Sequence, residues 1–145
     1  MSNRPAFASG QKIGRRATRA WICTICGMWF DAKPAKQTQC RGSGVKAHPT
    51  VAQHFPSHAE AGYYMELRTL QAAGKIGEIE CQPKFPLIVN GATLGKYIAD
   101  FSFIRPGKTE REFIDVKGNA QTELSQWKRT HAEAQYGIKI NIVRR

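Results

Sequence analysis

Two sets of residues in this chain have types and spacings that could do chemistry. The first is Cys23-Thr-Ile-Cys26, followed by Cys40 and later by His48 and His54. A tetrahedral zinc ion needs four soft or borderline ligands, and C-x-x-C places two on one tight turn. Gly27 directly after the pair, with Trp21 and Trp29 on either side, suits such a knuckle. Cys40 is the third expected ligand. His48 is preferred as the fourth, because the intervening Arg-Gly-Ser-Gly at 41–44 lets the chain return to the metal; His54, expected in a strand over 51–55, is the alternative. A redox C-x-x-C normally opens a helix after a strand in a thioredoxin-like unit, and no such pattern surrounds this pair. The plainest competing reading is four unrelated small residues. Cys81 stands apart, in an alternating segment where a thiol packs as a small hydrophobe.

The second set is Asp100, Asp115 and Lys117. Two strands are expected over 97–104 and 112–117, joined by Pro106-Gly107, a dipeptide suited to a type II turn. Alternation puts Tyr97, Ala99, Phe101 and Phe103 on one face of the first, with Asp100 and Ser102 on the other. On the second, Ile114 and Val116 oppose Asp115 and Lys117. A four-residue loop at 106–109 pairs Phe101 with Ile114 and sets Asp100 against Asp115. A tighter turn makes the two aspartates diagonal neighbours. Either register gathers Asp100, Asp115 and Lys117 on one face. Opposed carboxylates repel unless a cation compensates, and a hard divalent ion such as magnesium, held by carboxylates, waters and substrate phosphate, does so naturally. Lys117 could then hold an attacking water or stabilise charge on a phosphoryl group. A merely solvated strand face is the alternative, and Asp100 argues against it, since its neighbours Tyr97-Ile-Ala and Phe-Ser-Phe suit burial.

Glu60 is open to two readings. Ser57-His-Ala-Glu60 is a capping box in which Glu60 would bond back to the Ser57 backbone. Glu60 also falls at i−4 to Tyr64 and i−7 to Leu67, on a core-facing stripe where a charge needs a reason; this favours it as a third metal carboxylate over Glu66. On the last helix Lys128 and His131 fall beside Leu124 and Trp127, facing either a nucleic acid or the site, although a lysine there commonly snorkels.

The elements that must position these groups are legible in order. A helix capped by Ser57 carries Ala59, Tyr63, Tyr64, Leu67, Leu70 and Ala73 and stops at Gly74. Strands follow over 78–85, 97–104 and 112–117, then a helix over 121–136 ended by Gly137, then a strand over 138–142. This is an α/β layered core. The 145 residues suffice for one domain with a small appendage, divided as a basic arm (1–20), a zinc-knuckle-like element (21–50) and the core (51–145). Lys and Arg number 22 against 11 Asp and Glu, a net +11, and the excess lies mostly in the first 50 residues, where a phosphate backbone would be drawn. A solvated tail is the other reading of that arm. No apolar stretch approaches a membrane span, the basic start lacks the apolar run of a secretion signal, and four cysteines are too few for a disulfide scaffold. A soluble, intracellular (cytoplasmic) protein with a polyanionic partner and no membrane is expected.

Asp100 with Asp115-Val-Lys117, after a helix carrying Glu60, resembles the PD-(D/E)XK nuclease superfamily, whose core has the order αβββαβ. Ser57-His-Ala-Glu60-Ala, Tyr64-Met-Glu66-Leu67, Gln82-Pro-Lys-Phe85-Pro-Leu87, Tyr97-Ile-Ala-Asp100-Phe and Asp115-Val-Lys117-Gly resemble, more narrowly, a phage-encoded endonuclease-like family. The likeness covers about 51–143. It implies that Glu60, Asp100 and Asp115 ligate magnesium or manganese and that Lys117 is the catalytic lysine, in a DNA endonuclease leaving a 5′-phosphate. Ala99 stands where the proline of "PD" would be. The zinc-like element is not part of the resemblance. Branched or junction DNA in recombination or replication is the expected substrate. An inactive zinc-containing DNA-binding adaptor and an RNA-processing nuclease are the alternatives, and a homodimer would suit symmetric cutting of both strands.

Overall fold

The computed structural model describes residues 19–41, 46–118 and 120–145; all but the last two residues of the expected basic arm lie outside them. Thirteen elements follow one another, most of them strands, with two helices. Helix α1 (His58–Ala72) begins where Ser57, in extended conformation, accepts a hydrogen bond from the Glu60 N–H, the geometry of a side-chain N-cap. Its buried residues are Ala61, Tyr64 and Leu67, three apart along one apolar stripe. Helix α2 (Glu123–Tyr136) is capped by Thr122 and ends at Gly137, whose φ is 62°.

A mixed four-stranded sheet lies at the centre, in the order β11 (Ile140–Arg144), β10 (Arg111–Lys117), β9 (Phe101–Ile104), β6 (Gly77–Cys81). Strand β10 is antiparallel to β9 and parallel to β11, and α2 supplies the crossover that a parallel pair requires. Phe101 pairs with Ile114, so the register is the one that sets Asp100 level with Asp115. The turn itself is tight, with Lys108 N–H bonded to Arg105 O at 3.0 Å. Thr109 and Glu110 follow it before β10 starts, and this length selects the register.

The expected strands 78–85 and 97–104 are each two strands. Strands β7 (Lys84–Val89) and β8 (Ala92–Ile98) pair as a hairpin about Asn90-Gly91, with φ of 48° and 80°. Both values are positive, as a type I′ turn demands. The hairpin continues into β6 and β9 after a break at Gln82–Pro83 and Ala99–Asp100, where Gln82 N–H bonds to Asp100 O and Ala99 N–H to Pro83 O. The break undoes the expected alternation. Tyr97 and Ala99 pack with Leu87, Ala132 and Ile140 on the α2 side. Phe101 and Phe103 pack with Tyr64, Leu67, Ile114 and Val116 on the α1 side.

Before α1, strands β2 (Trp29–Phe30), β1 (Ala20–Cys23) and β5 (Ala52–Phe55) form a small antiparallel sheet, and β3 (Gln39–Cys40) pairs with β4 (His48–Pro49). Ala20, Ile22 and Phe55 belong to the same apolar cluster as α1. Cys81 packs against it too, and burial raises its thiol pKa to about 11, as befits a core thiol. No described helix is long and apolar enough to cross a membrane.

Arg68 of α1 fastens the small sheet to the core. Its guanidinium donates to the carbonyls of Thr24 and, at 2.8 Å, Ile25, covering the outward face of the C-x-x-C turn. Beside it, Gly27 has φ +79°, and a Cβ there would lie 2.8 Å from Met65 Cε. Charge-assisted hydrogen bonds of this kind contribute about 1.5–3 kcal/mol. Arg68→Met, which keeps the apolar stem, is therefore expected to lower the melting temperature by about 5 °C. An unchanged melt would show that the clamp contributes nothing.

Candidate active site and metal cluster

The ligand atoms of Cys23, Cys26, Cys40 and His48 all lie within 4.8 Å of one another. Strands β1, β3 and β4 deliver three of them, and the turn after β1 delivers Cys26. His48 Nε2 is buried without a hydrogen-bond partner, while Nδ1 is 2.8 Å from Pro49 O. That arrangement leaves Nε2 as the lone-pair nitrogen, the tautomer of a metal-bound imidazole. Thr50 Oγ1 lies 3.1 Å from Cys40 Sγ. Burial pushes the Cys23 thiol up, but the backbone N–H groups of Cys26, Val51 and Ile25 outweigh it and bring the pKa to about 6. The Thr50 hydroxyl lowers Cys40, yet burial and the neighbouring thiols Cys26 and Cys23 leave it raised. Thiol donors, one imidazole and an orphaned ring nitrogen together fit a metal ion such as zinc. His54 does not join them; its ring packs against Trp21 at a tilt of 51°, with centroids 4.8 Å apart.

The carboxylates gather about β10. Asp115, at the middle of the sheet, is 1% exposed. Tyr97 Oη donates to its Oδ2 at 2.6 Å, and Lys117 Nζ lies 2.7 Å from Oδ1. The lysine contact is a charge contact: Oδ1 has no hydrogen bond of ordinary geometry. Asp100 sits at the break between β8 and β9, so its side chain is free to turn back and accept the Val116 N–H at 2.6 Å. Burial and then the charge of Glu60 push Asp100 up to about 8, with Asp115 adding to the rise. Glu60 is raised by burial, while Ser57 and the charge of Lys117 pull it down. It differs from the expected capping box in one respect: its Oε1 accepts from Ser57 Oγ at 3.0 Å, and not from the Ser57 backbone. Glu66 is taken up in a bidentate pair with Arg145.

Glu60, Asp100, Asp115 and Lys117 thus share one electrostatic neighbourhood. Among the described residues, however, the Cys/His set is the one group of three or more such ligands gathered so closely. The Asp100 and Asp115 side chains come within hydrogen-bonding reach of each other, which helps to hold Asp100 in its protonated form, and the cation beside Asp115 Oδ1 is Lys117 Nζ. Tyr97 was not among the residues singled out from the sequence. Only the break at Ala99–Asp100, which turns Tyr97 to the α2 side, brings its hydroxyl to Asp115.

A raised carboxyl pKa has a stability consequence. The folded chain keeps the Asp100 proton to about pH 8, whereas an unfolded aspartate releases it near ~4. Between those values the folded state binds more protons, so stability falls as pH rises. The melting temperature of zinc-loaded, magnesium-free protein is expected to drop by about 5 °C or more from pH 5.5 to 8.5. Asp100→Asn should flatten that drop; a wild-type melt that is level or rising across the window contradicts it.

Comparison with curated proteins and with solved structures finds no significant match. The residues 46–145 match a family described as a protein of unknown function, DUF1064, so Glu60, Asp100, Asp115 and Lys117 fall inside the match, and Cys23, Cys26 and Cys40 precede it. As the match spans well over half of the chain, the protein belongs to the DUF1064 family.

Proposed function

We propose that the protein is a magnesium- or manganese-dependent DNA endonuclease of the PD-(D/E)XK type. The observation that carries the reading is Asp115, buried in the sheet with Lys117 Nζ in charge contact at 2.7 Å from Oδ1, and with Asp100 and Glu60 within electrostatic reach. Supporting it, α1, β6, β9, β10, α2 and β11 come in the order αβββαβ once the β7–β8 hairpin between β6 and β9 is set aside, with β10 and β11 parallel.

Glu60, Asp100 and Asp115 would hold the divalent ion, which supplies positive charge among the carboxylates and lowers the pKa of its bound water. The chain's own groups do the rest. Tyr97 fixes the Asp115 carboxylate by donating to Oδ2. Lys117 projects from the same face of β10, two residues on, where it can orient the attacking water and stabilise charge on the phosphoryl oxygens. Water adds to phosphorus, the P–O3′ bond breaks, and the proton from water ends on the departing 3′ oxygen, leaving a 5′-phosphate. The Cys23, Cys26, Cys40 and His48 set would hold a structural zinc, and the basic residues before it would grip the DNA. Branched or junction DNA, in a phage-encoded task of recombination or replication, is the substrate we favour.

The Lys117–Asp115 contact also suits an inactive DNA-binding adaptor whose lysine stands permanently in place of the metal. A labelled panel of duplex, single strand, Y-fork, four-way junction and RNA, incubated with magnesium or manganese, separates the two. Wild type is expected to cut at least one DNA, and Asp115→Ala and Lys117→Ala to lose about 100-fold or more in rate while still binding. Metal analysis of the same preparations should find zinc in all three proteins and none after Cys26→Ser. Binding of DNA without any cutting would favour the adaptor, and cutting of RNA alone would reassign the substrate.

A further inference from the structure

We infer that the groove between β8 and the start of α2 holds an unpaired DNA strand next to the cut, so that the preferred substrate carries a single-stranded arm beside the scissile phosphate. This rests on the nuclease reading and specifies its substrate. The groove is lined by Lys96, Ile98, Lys117, Leu124 and Lys128, with Tyr97 also contributing to its wall. Two of these residues, Tyr97 and Lys117, are the ones that contact Asp115, so the groove opens directly onto the carboxylate site.

Its chemistry is that of a nucleic-acid backbone track. Lys96 on β8 and Lys128 on α2 come from opposite elements, and neither has a salt-bridge partner among the described residues. Ile98 and Leu124 give apolar surface between these cations and are 40% and 62% exposed. The volume is about 290 Å³, at the small end of ligand pockets. Trp127 stands one helical turn beyond Leu124 and is 52% exposed, its ring meeting His131 edge-on at 5.3 Å. An exposed indole beside a basic groove is a stacking platform, and only an unpaired base offers it a free face.

The test is fluorescence anisotropy without added magnesium, using a Y-fork with unpaired arms and a blunt duplex. Wild type is compared with the double variant Lys96→Gln/Lys128→Gln and with Trp127→Ala, all zinc-loaded; Lys96 and Trp127 are exposed and Lys128 is half-buried, and melts check that the fold is kept. The fork is expected to bind wild type about tenfold tighter than the duplex, and Trp127→Ala to lose about tenfold on the fork. The lysine variant should lower the slope of log affinity against log salt by about 1.4, two phosphates at ~0.7 each. Duplex affinity should stay unchanged. Equal losses on fork and duplex, or none on either, would overturn the groove. If wild type cuts DNA but the groove variants bind forks normally, the groove alone fails. If the groove variants lose fork binding but wild type cuts nothing, the nuclease reading alone fails. If no DNA binds, both fall.

Discussion

A carboxylate sealed in the middle of a sheet has to be answered by its surroundings, and Asp115 is placed that way. Its position on β10, between an antiparallel and a parallel neighbour, removes it from water; the compensation must then come from the side chains. Tyr97 reaches it from the hairpin and Lys117 from its own strand. Asp100 and Glu60 crowd in from the strand break and the helix, and both are pushed toward their protonated forms. Such perturbed groups cluster where chemistry is done. A structural ion pair would not call for two further acids beside it.

The small sheet that carries the Cys/His cluster is joined to the core through α1 and through Phe55, which packs against Phe101. Arg68, in the middle of that helix, holds the carbonyls after Cys23, and Glu60 lies two turns earlier on the same helix. The metal ligands organise a sheet too small to hold itself together, whose apolar residues Ala20, Ile22 and Phe55 complete the core around α1. A metal held there would contribute its binding energy to folding, in a cluster that lies mostly before the stretch the family shares.

Much of this arrangement was legible in the residues. Cys23, Cys26, Cys40 and the preference for His48 followed from spacing and the flexible run between them. Ser57 as a cap and Gly137 as a stop followed from local rules, whereas the strand register stayed open between two alternatives until the turn and the two residues after it fixed Phe101 opposite Ile114. The break at Ala99–Asp100 did not, because every residue from Tyr97 to Phe103 suits a continuous strand and the interruption is set by tertiary packing on two helices. Missing it hid the turn of Tyr97 to the Asp115 side. Asn90-Gly91 was a turn signal in plain view, obscured by Pro83 and Pro86, which argued for a short strand ending near Phe85 when the pairing in fact continues to Val89.

On the proposed reading, the buried Asp115 carboxylate helps to bind a divalent cation. Manganese titration followed by electron paramagnetic resonance, on zinc-loaded wild type and Asp115→Asn, tests it without reference to any substrate. The account requires a saturable manganese site in the wild type that disappears in Asp115→Asn while zinc content is unchanged. A wild type that binds no manganese, or a variant that binds it equally well, would contradict it.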